Sequence, residues 1–228
     1  MDNQKTRDIS GFILIDKPSG PTSHDVVDAL RRVLGIRKIG HAGTLDPFAS
    51  GLLILAIGKA TKEISKFVGL DKTYEADIRL GAVSDTMDRT GQITGVECAS
   101  PDIAEVKNVL AKFIGGQEQV PPMFSAKKVG GRKLYELARA GETVVRQPVK
   151  VTIHEIELLS YEWPILKIRT RVSSGTYIRA LAHDIGAALG CGAYLEELRR
   201  MTIGEFKVED ALKTNELSSE AIETRLFR

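Results

Sequence analysis

With 228 residues, 43% of them apolar, the chain is long enough for one large domain or two small ones around a substantial core. Its 32 lysines and arginines nearly balance its 30 acids, so the net charge of +2 does not announce a nucleic-acid partner, and any basic surface must come from local clustering. Cys98 and Cys191 fit neither a disulfide framework nor a CxxC metal site, the N-terminus lacks an apolar leader, and no run approaches the roughly 18 apolar residues of a membrane span; the chain reads as soluble and cytoplasmic.

Residues 12–15 of "GFILIDKPSGPTS" predict a short strand that breaks at Lys17-Pro18-Ser19-Gly20-Pro21. A helix follows, capped by Thr22 or Ser23, with Val26, Val27, Leu30, Val33 and Leu34 as its apolar stripe and Gly35 as its stop. "GLLILAIG" reads as a buried strand, "KTYEADIRLGA" as a strand opening at Tyr74, and "SDTMDRTGQITG" as a polar loop. Ser100 and Pro101 start a second helix, whose Ile103, Val106, Leu110, Phe113 and Ile114 keep helical spacing up to Gly115-Gly116. "VPPMFSAKKVGGRKLYELARAGE" reads as a mobile basic loop leading into a short helix. "VKVTIHEIELL" and, more strictly, "ILKIRTRV" alternate as strands, the latter setting Lys167, Arg169 and Arg171 opposite Leu166, Ile168, Thr170 and Val172. "TYIRALAHDIGAALG" is expected to be a helix entered from Ser173-Ser174-Gly175, "YLEELRRM" another short helix, and "EDALKTNELSSEAIETRLFR" a peripheral helical tail. Without a steady βαβ rhythm, the mixture points to an α+β domain around a mixed, largely antiparallel sheet.

Few motifs carry chemistry. "GLLILAIGKAT" has the wrong glycine spacing for a phosphate-binding loop, and Ala60 stands where a Mg²⁺-binding Ser or Thr belongs. Asp85 and Asp88 lack the further ligands of a calcium loop and suit an Asx-rich turn. His24, His154 and His183 are scattered over predicted helix and strand. His41 differs, because it precedes Asp46 by five residues in the glycine-rich "KIGHAGTLDPFASGLL".

On base rates, an Asp before a proline opens a turn. The small residues Gly40, Ala42, Gly43, Ala49 and Gly51 weigh against a plain surface turn, since they would let a bulky ligand approach the backbone. A carboxylate there is suited to attack a carbon such as an anomeric sugar carbon, yet a glycosidase needs a second carboxyl that the sequence does not offer. Three basic groups (Arg31, Arg32, Arg37, Lys38; Lys127, Lys128, Arg132, Lys133; Lys167, Arg169, Arg171) are each a solvated face when taken singly, and phosphate contacts if they fold onto one side.

"GHAGTLDPFASGLL", "KPSGPTS", "KTYEADIRLG", "SDTMDRTG", "SGTYIRALAHDIG" and "YLEELRR" occur in the order seen in the TruB family of tRNA pseudouridine synthases, and residues 11–206 resemble that family's catalytic domain. The resemblance implies isomerisation of uridine to pseudouridine at position 55 in the T-loop of tRNA, by base flipping, with no cofactor or metal. It implies Asp46 as the catalytic carboxylate, by a nucleophilic or a glycal route, and resolves the missing second carboxyl because the departing base is recaptured. It also implies Tyr74 stacked on the flipped base and a candidate for proton removal at C5, and Arg179 paired with Asp46, holding it ionised. Tyr177 and Leu198 would line the pocket, His41 enter the T-loop, Lys17 and Pro18 brace the active-site loop, and Asp88 join the polar network of Arg179.

By the same resemblance, a basic RNA-clamping insertion spans about 120–147, with Lys127, Lys128, Arg132 and Lys133 on the RNA backbone. Residues 1–10 and 207–228 read as tails, the latter too short for the PUA-type module usual in bacterial members. The partner implied is the tRNA T-arm, bound by a monomer without an obligate protein partner. Two other readings stand beside this one: a chaperone of tRNA folding, and a guide-dependent relative acting on ribosomal RNA.

Overall fold

The computed structural model describes residues 9–125 and 127–228; most of the predicted 1–10 tail, and Ala126 within the basic segment, lie outside the described residues. In chain order the larger elements of the first half are β1 (Gly11–Lys17), α1 (Ser23–Leu34), β2 (Ile39–His41), β3 (Ser50–Ile57), α2 (Ser65–Val68), β4 (Lys72–Leu80), β5 (Ala82–Ser84), β6 (Ile93–Gly95) and α3 (Ile103–Lys112). They continue with β7 (Gly115–Gln119), β8 (Lys128–Val129), β9 (Arg132–Lys133), α4 (Leu134–Arg139), β10 (Val149–Glu162), β11 (Ile165–Val172), α5 (Ile178–Ala188), β12 (Ala193–Ile203), β13 (Phe206–Lys207), β14 (Leu212–Lys213) and α6 (Ser219–Thr224). The architecture is α+β. Its residues fall into two units, one holding the described residues up to Thr73 together with Arg199–Arg228, the other Tyr74–Leu198.

In the first unit, strands run in the order β14-β1-β3-β12, with β2 on β3 and β13 on β12. The pairing is mixed: β1 is antiparallel to β3 from Gly11↔Ile57 to Lys17↔Gly51, while β14 lies parallel to β1 and β12 parallel to β3. β3 is buried on both faces, as its unbroken apolar run requires. Around it Phe12, Phe67, Phe206 and Phe227 cluster with ring centroids 4.7 to 6.4 Å apart, in geometries that aromatic quadrupoles favour. α1 starts at a capping box between Thr22 and Asp25 and stops at Gly35 in the left-handed region, φ 68°. Val26, Val27 and Leu30 are its buried face.

The second unit has the strand order β12-β4-β11-β10-β7, with β10 antiparallel to both its neighbours. β11 buries Leu166, Ile168, Thr170 and Val172 and exposes Lys167, Arg169 and Arg171, the alternation written in its sequence. The expected polar loop, 84–95, is the turn and second strand of a β5–β6 hairpin, and a β8–β9 hairpin turning at Gly130-Gly131 stands within the expected basic loop, ahead of α4.

The stretch expected to be a short helix, "YLEELRRM", is instead the strand β12. Leu, Glu and Arg favour helix, and Leu195 and Leu198 imitate a helical stripe, but Tyr194, Leu195, Leu198 and Arg200 are all buried. A strand covered on both faces shows no alternation, and the ladder to β3 at Arg199↔Ser50 and Arg200↔Gly51 outweighs propensity. The segment expected to be a peripheral helical tail is also built into the first unit: Leu212 pairs with Ile15, Ile222 is fully buried, and Phe227 exchanges backbone hydrogen bonds of 2.8 and 3.0 Å with Phe12.

Gly51 shows how tightly β3 and β12 approach. Its φ is +108°, and a Cβ there would lie 2.3 Å from the carbonyl oxygen of Arg200, which is backbone and unable to give way. Gly51→Ala is therefore expected to destabilise the chain by roughly 2–4 kcal/mol, read as a lowered urea midpoint at an unchanged slope.

Candidate active site

Asp46 lies half-buried in the loop between β2 and β3, and the backbone on both sides of it is fastened. The Ala42 N–H donates to Ile54 O at 2.9 Å, and Arg200 Nη2 donates to Gly43 O at 3.2 Å. Leu45 exchanges two bonds with the buried Ser23 hydroxyl, 2.9 and 3.1 Å. Pro47 O accepts from Gly20 N–H at 2.8 Å and from Lys17 Nζ at 3.2 Å, and Phe48 O accepts from Ser19 Oγ at 2.8 Å. Ala49 N–H closes the turn onto Asp46 O at 3.1 Å. Ala42, Leu45, Phe48 and Ala49 are buried beneath it, so the loop presents one carboxylate from a backbone with little freedom.

Lys17 is fully buried, and its ammonium also donates to Pro18 O at 2.9 Å and Pro21 O at 2.7 Å. Burial pushes its pKa down to about 8, with the charge of Asp46 pulling upward and that of Arg200 adding to the fall. Arg200, 1% exposed, donates from Nε to Leu52 O at 2.7 Å as well as to Gly43. Burial, and then the charge of Arg200, hold His41 below its ordinary 6.5, which favours a neutral imidazole at neutral pH.

In the second unit, Arg179 lies in the first turn of α5 with its side chain 5% exposed and paired to Asp88, itself 4% exposed, at 3.1 Å. Its guanidinium also donates to Thr86 O at 3.2 Å and Phe124 O at 2.6 Å. Asp88 Oδ1 accepts from Thr86 Oγ1, Thr90 N–H and Thr90 Oγ1 at 2.8, 2.9 and 2.5 Å. Leu195 and the 86–90 turn are stitched by two backbone bonds of 3.0 Å, Leu195 N–H to Met87 O and Arg89 N–H to Leu195 O. "SDTMDRTG" is thus an Asx-rich turn that braces an arginine. Tyr74 and Leu198 are buried, 8% and 7% exposed, and Tyr177 is half-buried as the N-cap of α5.

The structure gathers Lys17, His41 and Asp46 in the first unit, and Arg179 with Asp88 in the second. Of the small residues, Ala42 and Ala49 are fully buried and Gly51 is closed by the Arg200 backbone, so these three are packed by protein, while Gly40 and Gly43 are half-buried. The third basic group is largely spent on acids, with Lys167 paired to Asp77 at 2.8 Å and Arg169 to Glu75 and Glu157 at 2.7 and 3.1 Å. Arg31 is tied to Asp28 and to Ile39 O, which leaves Arg32, Arg37 and Lys38 exposed. On the hairpin, Arg132 pairs with Glu142 at 3.1 Å and Lys133 Nζ meets the Tyr135 hydroxyl at 3.2 Å, while Lys128 is exposed. Two residues escape the sequence reading: Arg200, hidden by the helix expected for its segment, and Gln119, which carries no signal beyond polarity. Ser23, expected as an alternative cap to Thr22, instead turns its hydroxyl to the Leu45 backbone, and Thr22 is the cap.

Comparison with known proteins defines the class first. Among solved structures the chain resembles a Cbf5-Nop10-Gar1 complex (34% identity, TM-score 0.71, 89% of this chain and 52% of that chain) and an H/ACA RNP bound to a substrate RNA containing 2'-deoxyuridine (32%, 0.68, 90% and 51%). It spans about half the length of those chains. The fold is that of the pseudouridylate synthases. Within that class the chain belongs to the TruB family: the model of the TruB family pseudouridylate synthase N terminal domain matches residues 31–178, and that of the tRNA pseudouridylate synthase B C-terminal domain matches 179–226. Curated relatives named tRNA pseudouridine synthase B include those of Protochlamydia amoebophila (49% identical over 210 residues, 92% of this chain and 80% of that protein) and Azoarcus sp. (47% over 213 residues, 93% and 71%).

Two outcomes are expected of the loop. Lys17→Met removes the ammonium that serves Pro18 O and Pro21 O and leaves Pro47 O with Gly20 N–H alone, and should cost about 2–4 kcal/mol in urea unfolding. Below its ordinary 6.5, His41 stays neutral in the fold while the unfolded chain takes up a proton. Its contribution is therefore complete above that pH and is lost as pH falls, and His41→Gln should flatten the fall in stability between neutral pH and about pH 5.

Proposed function

We propose that this chain isomerises uridine to pseudouridine in the T-loop of tRNA, at the position usually numbered 55, with Asp46 acting at the ribose of the flipped nucleotide. The observation that carries the proposal is the single carboxylate on a loop anchored at Gly43, Leu45, Pro47 and Phe48, in a chain of the TruB family. In the reaction the bond from ribose C1′ to N1 breaks, the uracil turns, and C5 bonds to the same C1′. The C5 proton departs and N1 gains one. Electrons balance within the substrate, so no cofactor or metal is called for. Asp46 opens the reaction by either route, as nucleophile or as the base that starts a glycal path.

In this reading Arg179 holds Asp46 ionised, with Asp88 and Phe124 O keeping the guanidinium in place. Tyr74 stacks on the base and accepts the C5 proton, Tyr177 and Leu198 wall the pocket, and His41, kept neutral, enters the T-loop without adding charge. Lys17 and Pro18 hold the loop. Lys127, Lys128, Arg132 and Lys133 meet phosphates, which position without reading sequence. The enzyme works in the cytoplasm as a monomer on the tRNA T-arm. Among the described residues no helix is long and apolar enough to cross a membrane. The likeness to Cbf5 complexes favours one second reading, a guide-dependent enzyme with protein partners. Activity of the purified chain on a bare T-arm hairpin would remove it.

Asp46→Asn should abolish product on a T-arm transcript, by about a thousandfold or more, while the hairpin still binds; surviving product would remove the assigned group. Arg179→Ala should lower kcat far more than it raises KM, and equal losses would contradict its role. Affinity should fall steeply with added salt, by filter binding, if the basic hairpin faces phosphate.

A further inference from the structure

Gln119 is the last residue of β7 and pairs with Val149 at the start of β10, so the basic insertion leaves the sheet at one of these residues and rejoins it at the other. The side chain is 4% exposed, and its carboxamide grips a single residue. Oε1 accepts from Tyr177 N–H at 2.7 Å and Nε2 donates to Tyr177 O at 3.0 Å. The same Tyr177 carbonyl accepts the first helical bond of α5, from Leu181 N–H at 3.1 Å. Two bonds from one planar amide fix both the place and the tilt of the helix entrance, which one bond would leave free to rotate.

A Ser, Thr or Asp at position 177 would cap the helix from within. The position holds tyrosine instead, which makes no side-chain cap bond, and the carboxamide of Gln119 at the end of β7 holds the N–H and the carbonyl of the N-cap residue itself. Five residues further along the insertion, Phe124 O accepts from Arg179 Nη2 at 2.6 Å. The root of the insertion therefore holds, by bonds to their own atoms, both Tyr177 and Arg179.

We infer that Gln119 is a positioning residue for the isomerisation, setting the first turn of α5 so that Tyr177 and Arg179 meet the nucleotide in register and tying that register to the root of the RNA-clamping insertion. The inference rests on the isomerase reading above. It places Gln119 out of contact with the substrate, acting through Tyr177.

The test uses the full chain and a tRNA transcript carrying uridine tritiated at C5, with tritium release giving kcat and KM. Gln119→Met keeps the length and loses both bonds; Gln119→Glu keeps an acceptor for Tyr177 N–H and loses the donor. The expected result is a kcat lowered about tenfold to a hundredfold in the Met variant and less in the Glu variant, with KM within about twofold of the parent. A lowered urea midpoint with full turnover per folded molecule would mark a purely structural role and overturn the inference, as would a change confined to KM. If the Met variant does not fold, the Glu variant decides by the same measures. Release by the parent chain with unchanged kcat in the variants overturns this inference alone; no release by the parent chain overturns the isomerase reading and the inference with it.

Discussion

A buried ammonium held by three backbone carbonyls is what the Asp46 loop depends on. Taking the Lys17 charge out of water costs several kcal/mol unless its protons are satisfied, and the carbonyls of Pro18, Pro21 and Pro47 satisfy them. All three belong to prolines, whose φ is fixed and which bring no N–H to compete. Two lie in the turn after β1 and the third directly follows Asp46, so one cation fastens the turn to the loop. The turn then places Ser19, Gly20 and Ser23 against Phe48, Pro47 and Leu45. Remove the ammonium and the remaining bonds lose their common anchor.

The same device recurs. Arg200 is satisfied by Leu52 O and Gly43 O, and Lys72 by Val68 O and Leu70 O. Carbonyl partners satisfy donors without cancelling charge, so each cation keeps its field. His41 lies within reach of that field: burial first, and then the charge of Arg200, holds it below its ordinary 6.5. Arg179 differs in having a carboxylate partner, but Asp88 is itself saturated by Thr86 and Thr90. A carboxylate so occupied orients the guanidinium strongly.

Local chemistry was legible in the sequence wherever one face of an element meets water. α1 has its cap, stripe and stop written in order, and β11 alternates with a period of two. The motif order of the family pointed to Asp46, Tyr74 and Arg179 as functional candidates. Of the two strands covered on both sides, β3 was legible from its unbroken apolar run, while β12 was not. β12 has no polar face to mark its period, so a helix-favouring composition misled, and Arg200 was lost with it. The small residues near Asp46 were legible as a need for close approach, but sequence does not say what approaches; at Gly51 it is the Arg200 backbone. Gln119 was invisible because its two bonds cross 58 residues to a backbone, a partner of no residue type at all.

The pairing of Phe12 with Phe227 has a consequence for the birth of the protein. β1, α1 and the loop of Asp46 emerge from the ribosome first, yet Gly43 and Leu52 wait for Arg200, which lies 148 residues beyond Leu52. β1 waits longer still, for the strand around Leu212 and for Phe227. Residues 74–198 form a contiguous unit and can close on themselves while synthesis continues. During synthesis the Asp46 loop thus has its Lys17, Ser19 and Ser23 anchors at once, whereas the fastening of Gly43 and Leu52 comes only after Arg200 has emerged.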